Sequence, residues 1–161
     1  MAPINVFFSH IPIDWIIIAV FAIIVAFDAM RSGSGRATSF ALSLPATLFI
    51  VAELPHAKFL SGVTEQFTSS VLKALLFGIV FVVTYILVRR MSAPDATDSG
   101  QIIQAIVAGI AATAVAIVVW LQVPELQSVW HFGAQIQAIF GEAYRFWWIA
   151  GSFAALAFVR D

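Results

Sequence analysis

The sequence contains no cysteine, and charged residues make up only 11% of its 161 positions. Without cysteine the chain has no disulfide framework, no thiol nucleophile and no thiolate metal site. Eight basic and nine acidic residues give a net charge of −1, so the chain offers neither a basic surface for nucleic acid nor an acidic tail. The composition therefore excludes a nucleic-acid-binding module and a disulfide-stabilised scaffold.

The short motifs that carry common enzyme chemistry are also missing. The sequence has no HExxH, no GxSxG, no phosphate-binding P-loop and no GxGxxG. His10 and His131 are isolated, and Pro55 between Glu53 and His56 argues against a metal shared by those two side chains on one regular helical turn. We predict no enzymatic activity, no metal and no cofactor.

Apolar side chains are abundant instead, at 61% of the residues. A soluble domain must cover its surface with polar atoms and cannot hide so many of them. We predict that residues 1–161 form one all-α domain, a polytopic integral membrane protein with four transmembrane helices and a fifth crossing left open. A crossing needs ~20 apolar residues. The predicted spans are residues about 11–27, 38–54, 70–88, 102–121 and 146–159. The last of them is short for a full crossing.

Two stretches between the spans show an amphipathic pattern, at residues about 57–69 and 125–140. We predict that each forms a helix lying in the membrane interface with its apolar face toward lipid. In the second stretch the residues expected on one side are Leu126, Val129, Trp130, Ile136 and Phe140.

Pro45 lies near the middle of the second span, which is short and also carries Ser39, Ser43 and Thr47. Proline removes a backbone donor and kinks a helix. We therefore expect a broken or re-entrant helix here, and such irregular backbone at membrane depth must face protein or a wet cavity.

Asp14 and Asp28 lie about four helical turns apart, on one face of the first span but near opposite membrane surfaces. They are either entry points of an ion path, or a helix-start charge and an interfacial group that pairs with Arg31, Arg36 or an arginine of the 89–90 pair. Lys73, near the start of the third span, either snorkels to the interface or pairs with Glu53 or Glu65.

The orientation follows from the basic residues in the short loops. No lysine or arginine precedes the first apolar run, so we expect a retained anchor rather than a cleaved signal peptide. If five segments cross, an N-terminus outside and a C-terminus in the cytoplasm bring the larger basic set to the cytoplasmic side: Arg31, Arg36, Arg89, Arg90 and Arg160.

Small residues recur every three or four positions in the fourth span and again in the last. Such stripes allow helix backbones to approach closely in lipid. Packing within one chain and contact between subunits remain equally open. The residues are Ala105, Gly109, Ala112 and Ala116, followed by Gly151 and Ala155.

Three segments, in this order, resemble the CvpA family, small bacterial inner-membrane proteins named for colicin V production. IDWIIIAVFAII opens on Asp14, RSGSGRATSFALSL contains a glycine-rich basic turn, and DATDSGQIIQAIVAGIAATAVAIVV places an acidic, glycine-bearing turn before a small-residue helix. The resemblance covers about residues 11–121 and implies a multi-spanning helical membrane protein linked loosely to export or envelope physiology, and the family has no established enzymatic activity to carry over. Besides Asp14, the matched positions are Gly33, Gly35, Arg36, Asp98 and Gly100.

The sequence thus favours a non-enzymatic scaffold or assembly subunit of a bacterial inner membrane, homo-oligomeric or part of a larger complex in the lipid bilayer. The alternative is a small channel or transporter module that uses the helix broken at Pro45. A pore lined by Ser39, Ser43, Thr47 and Lys73 would favour transport, whereas an apolar interior would favour a scaffold.

Overall fold

The computed structural model describes residues 12–56, 68–91 and 102–159. Within these ranges the chain is helical and contains no strand, as the sequence predicts. Four of the helices, α1 to α4, are long and apolar enough to cross a membrane. The elements are α1 (Ile13–Ser32), α2 (Ser34–Glu53), a short 3₁₀ helix (Leu54–His56), α3 (Ser70–Met91), α4 (Ile102–Gln122), α5 (Pro124–Val129), α6 (Ala134–Ile139) and α7 (Glu142–Val159).

The long helices alternate in direction. The backbone N–H of Gly133 donates to the Asp14 carboxylate at 2.6 Å, and the guanidinium of Arg145 donates to the Leu121 carbonyl at 3.3 Å. The start of α1, the end of α4 and the start of α7 therefore lie together, at what we call the Asp14 end. The turn between α1 and α2 lies at the opposite end, which we call the Gly33 end.

Helix α4 occupies the centre of the bundle and packs against α1, α2 and α7. Of its membrane-length segment 61% is buried, against 11% for both α1 and α3. A Cβ atom added at Gly109 would lie 2.7 Å from the Ala26 Cβ and 2.9 Å from the Ala22 carbonyl oxygen. Because these distances leave no room for a side chain, the small-residue stripe at Gly109 serves packing of α4 on α1 within one chain.

The turn between α1 and α2 is tighter than the sequence suggested. The helices extend beyond the predicted spans at this turn, because α1 continues to Ser32 and α2 begins at Ser34. Gly33 alone leaves the helical conformation, with φ 85° and ψ 157°. Glycine tolerates a positive φ without steric cost, so one residue suffices to reverse the chain.

The resemblance implies a glycine-rich turn at Gly35 and Arg36, but both residues lie in the first turn of α2. The Arg36 guanidinium reaches back across the turn to the Asp28 carboxylate, with 2.9 Å between Nη1 and Oδ1. Of the arginines considered for Asp28, the structure thus selects Arg36. The ion pair joins the last turns of α1 to the first turn of α2.

Helix α2 is continuous through Pro45, so the prediction of a broken or re-entrant helix is wrong. The Ser43 hydroxyl donates to the Phe40 carbonyl at 2.7 Å, and the Thr47 hydroxyl donates to the Ser43 carbonyl at 2.7 Å. Helix α2 also packs against α1, α3 and α4. Neighbouring helices and hydroxyl-to-backbone bonds are what make proline tolerable inside a membrane helix.

The amphipathic segments are not confirmed. The stretch 57–69 lies outside the described residues except for its last two positions. The stretch 125–140 forms α5 and α6, separated by extended backbone that begins at Trp130. Its apolar residues do not share one side, because Ile136 is 1% exposed and Val129 is 57% exposed.

The last helix begins earlier than predicted, at Glu142, and runs back along α4. Leu156 and Val159 join the same buried cluster as Ala105 and Ala108 of α4. The polar first turn of α7 keeps this helix outside the set that is long and apolar enough to cross. A fifth crossing is therefore not confirmed.

Candidate functional site

Asp14 lies in the first turn of α1 and is buried, with 7% of its surface exposed. Its Oδ2 accepts the Gly133 N–H at 2.6 Å, and its Oδ1 accepts the Trp130 indole N–H at 3.2 Å. The carboxylate also suits the positive end of the α1 dipole. We call Asp14, Trp130 and Gly133 the latch, because these three residues tie the start of α1 to the segment between α5 and α6.

Gly133 belongs to the latch because it has no side chain. A Cβ atom at this position would lie 2.9 Å from the Asp14 Oδ2. The φ of Gly133 is −62°, a value that any residue adopts. A side chain here would displace the Asp14 carboxylate from the Gly133 N–H, so glycine is favoured by this close approach and not by the backbone conformation.

Further contacts hold the segment between α5 and α6 in place, some from α1 and some from α4. The Trp15 indole N–H donates to the Gln135 side-chain oxygen at 3.2 Å, and the Trp120 indole N–H donates to the Trp130 carbonyl at 3.0 Å. The Trp120 ring also meets the Phe132 ring edge-on, with 6.2 Å between centroids. The start of α1 and the end of α4 thus fix the segment jointly.

Below the latch lies a cavity of about 510 Å³, which we call the apolar groove. Helices α1 to α4 all contribute to its walls, and Leu126, Trp130 and Phe132 line it at the Asp14 end. The hydroxyl of Thr113 in its wall donates to the Gly109 carbonyl at 2.7 Å, so it does not present an unpaired donor to the groove. The apolar wall includes Ile17, Ile18, Phe21, Phe40, Leu44, Ala74, Phe77, Gly78, Phe81, Ile117, Trp120, Leu126, Trp130 and Phe132.

Two charged side chains mark the rim of the groove. The Lys73 Nζ lies 3.9 Å from the Glu125 Oε1, and the two side chains are 50% and 30% exposed. Lys73 is therefore an end-of-helix charge, and it lies close to Glu125, a partner that the sequence did not suggest. Glu53 instead faces His56, with 3.8 Å between Oε2 and Nδ1, and Glu65 lies outside the described residues.

The polar side chains that would line a pore in the transport alternative do not line the groove. Ser39, Ser43 and Thr47 are at most 2% exposed, and the last two donate to backbone carbonyls of their own helix. Lys73 lies at the rim. Among the described residues, the polar groups singled out for transport therefore do not meet around a common path.

Of the two interpretations of Asp14 and Asp28, the geometry favours a helix-start charge and an interfacial ion pair over entry points of an ion path. Asp14 is engaged in the latch, while Asp28 is 49% exposed at the Gly33 end and paired with Arg36. In the described part of the chain no three histidine or acidic side chains cluster as a metal site would require.

Sequence reasoning singled out Asp14 but missed both of its partners. Trp130 was assigned to the apolar side of an interfacial helix, and Gly133 was not singled out. The two partners lie 116 and 119 residues from Asp14 along the chain. No local pattern carries information over that distance, because the contact depends on how α4 returns the chain to the start of α1.

Comparison of the chain with protein-family models, with curated proteins and with solved structures finds no match.

Proposed function

We propose that this chain is a non-enzymatic scaffold or assembly subunit of a bacterial inner membrane, as its resemblance to the CvpA family implies. The observation that supports this most directly is the apolar groove. Its wall is almost entirely apolar, and the Thr113 hydroxyl in it is already bonded to backbone. Such a wall offers an ion or a polar solute no charged side chain and no unpaired hydroxyl donor.

The alternative, a channel or transporter module, loses its main structural argument. Transporters bind substrate where a discontinuous helix exposes backbone groups near the bilayer midplane. Helix α2 is continuous through Pro45, and the nearby Ser43 and Thr47 hydroxyls bond to their own helix. We therefore prefer the scaffold.

The orientation is part of the proposal. Arg31 and Arg36 flank the turn at the Gly33 end, and Arg89 and Arg90 end α3 at the same side. Basic residues in short loops favour the cytoplasm. We place the Gly33 end in the cytoplasm and the latch outside, and α7 makes the fifth crossing as the antiparallel neighbour of α4.

The surface available for assembly is the outer side of the bundle. Ile24 of α1, Ile79 of α3 and Phe158 of α7 are 59%, 59% and 81% exposed. In lipid such faces contact either acyl chains or the helices of another subunit, and packing rather than hydrophobicity selects between them. A scaffold uses at least one of these faces for a second copy of the chain or another subunit.

Site-directed photo-cross-linking in cells tests the assembly. Benzoylphenylalanine is placed in turn at Ile24, Ile79 and Phe158, with Phe140 as the buried control because it is 6% exposed. We expect an adduct of defined protein mass from at least one exposed position and none from the control.

Lipid adducts alone at all three positions would refute assembly. Ion flux through reconstituted vesicles above that of empty vesicles would favour the channel instead.

A further inference from the structure

The geometry points to a lipid site: the apolar groove binds an acyl chain of a membrane phospholipid that enters from the leaflet at the Asp14 end. This inference goes beyond the scaffold and does not depend on it, since a scaffold and a channel can both hold a lipid.

The size and chemistry of the groove define the class of ligand. Its volume of about 510 Å³ falls within the ~300–1,000 Å³ of typical small-molecule sites. Most such sites add a few polar groups that orient the ligand. The wall here is apolar, and the Thr113 hydroxyl is already bonded to the Gly109 carbonyl. The occupant is therefore hydrocarbon.

The depth of the groove separates a lipid chain from a partner helix. On α3 the wall extends from Ala74 to Phe81, about 11 Å along the helix axis at 1.5 Å per residue. The hydrocarbon core of a bilayer is ~30 Å thick. The groove begins near the first turn of α3 and reaches about the midplane, because Phe81 lies 11 residues beyond Ser70, about 16 Å along the axis. Its depth therefore matches one leaflet. A transmembrane helix would extend far beyond it, whereas an acyl chain of that leaflet would not.

The part of the groove at the Asp14 end matches the interfacial region of a phospholipid, where the acyl chains meet the head group. Trp120 and Trp130 line it, but neither indole N–H is free. The Trp120 indole donates to the Trp130 carbonyl, and the Trp130 indole donates to the Asp14 carboxylate. The aromatic rings are left as apolar surface at the level where tryptophan meets the membrane interface. Lys73 and Glu125, each one residue beyond a wall residue, mark the level of the head groups.

Gly78 provides the means to test the site. It lines the groove on α3, and a Cβ atom added there would have no heavy atom within 4 Å. A side chain introduced there therefore meets no other atom at its Cβ and starts from the groove wall. Gly151 on α7 has the same property and is absent from the groove wall, which makes it a matched control.

The first test compares the full-length wild type with Gly78→Phe and Gly151→Phe by native mass spectrometry after extraction in mild detergent. We expect a retained phospholipid on the wild type and on Gly151→Phe, and its loss from Gly78→Phe. Equal retention by both variants would overturn the site. Loss of a co-purifying protein in place of the lipid would assign the groove to side chains of that partner.

The second test uses the wild type alone, so it stands if Gly78→Phe fails to fold. The protein is placed in nanodiscs that contain phosphatidylethanolamine with a diazirine at mid-chain. We expect carbene insertion at Leu44 and Ile117, which line the groove but are only 7% and 5% exposed to water. Insertion confined to outward-facing residues such as Ile24 and Ile79 would contradict the proposal.

Discussion

Replacement of Asp14 with alanine removes the acceptor of two hydrogen bonds and leaves the Trp130 indole N–H and the Gly133 N–H unpaired. A hydrogen bond to a charged group contributes ~1.5–3 kcal/mol. Trp130 is 39% exposed, so water replaces part of the loss at that donor. Allowing for that replacement, we expect Asp14→Ala to lower the free energy of unfolding by about 2–4 kcal/mol.

Asp28→Ala is the matched control, because Asp28 is the same residue type on the same helix. Its ion pair with Arg36 is partly exposed at both side chains, 49% and 36%. Such pairs contribute ~0–1 kcal/mol. The difference between the two alanine variants thus reports the latch and not the removal of a negative charge from α1.

Unfolding is measured in mixed detergent micelles by brief proteolysis of the unfolded fraction, a readout that does not depend on tryptophan fluorescence. This choice permits a double-mutant cycle of Asp14→Ala with Trp130→Phe, for which we expect a coupling free energy within the ~0.5–3 kcal/mol of residues in direct contact. If Asp14→Ala costs no more than Asp28→Ala, or if the coupling vanishes, the latch does not stabilise the fold.

Three further predictions address the packing, the orientation and α2. Gly109→Leu forces α1 away from α4 and should lower the free energy of unfolding by the ~1–3 kcal/mol of overpacking in the same assay. Ile110→Leu, at a site 58% exposed, should lower it far less. Equal tolerance of the two variants would refute the packing role. Single cysteines at Ser32 and Ser128, both exposed, should react differently with an impermeant thiol reagent added to whole cells: Ser128→Cys is labelled and Ser32→Cys is not, and the reverse pattern would invert the orientation. Pro45→Ala restores a backbone donor to a helix that is already continuous, so the free energy of unfolding should not fall, and a marked loss would mean that the proline itself is needed.

The spans that the sequence predicted best are the third and the fourth. Predicted limits of 70–88 and 102–121 compare with helices at Ser70–Met91 and Ile102–Gln122. Lipid makes this part predictable, because every backbone polar group must be bonded within the segment and an apolar run of the right length has little choice but a helix. The small-residue stripe was equally informative, since Gly109 permits a close approach of α1.

The same reasoning did not predict the one-residue turn at Gly33 or the continuity of α2 through Pro45. Glycine and serine clusters are typical of loops, yet Gly35 extends a helix here and Gly33 alone reverses the chain. Proline is a helix breaker in isolation, and neighbouring helices overrule that tendency at Pro45. Both errors have one cause. Residue preferences describe a segment in isolation, whereas the backbone conformation at Gly33 and at Pro45 depends on packing against neighbouring helices.

The candidate site was predicted only in part. An acidic residue at a helix start was identifiable at Asp14, but its N–H donors come from a segment beyond α4. The groove has no sequence signature, because its wall residues are drawn from four helices and resemble any lipid-facing residues. Its existence depends on gaps between helices, which only the assembled bundle reveals.

The latch also bears on the order in which the protein is made. Synthesis delivers α1 first, and the Trp130 and Gly133 partners of Asp14 follow 116 and 119 residues later. Until α4 has been inserted, Asp14 has no partner from that segment. If α4 entered in the opposite direction, those donors would emerge on the far side of a ~30 Å hydrocarbon core. The latch therefore forms only if α1 and α4 cross the membrane in opposite directions. In a chain with α4 inserted the wrong way, the Asp14 carboxylate would lack the Trp130 and Gly133 donors, and this would distinguish it from a correctly inserted chain.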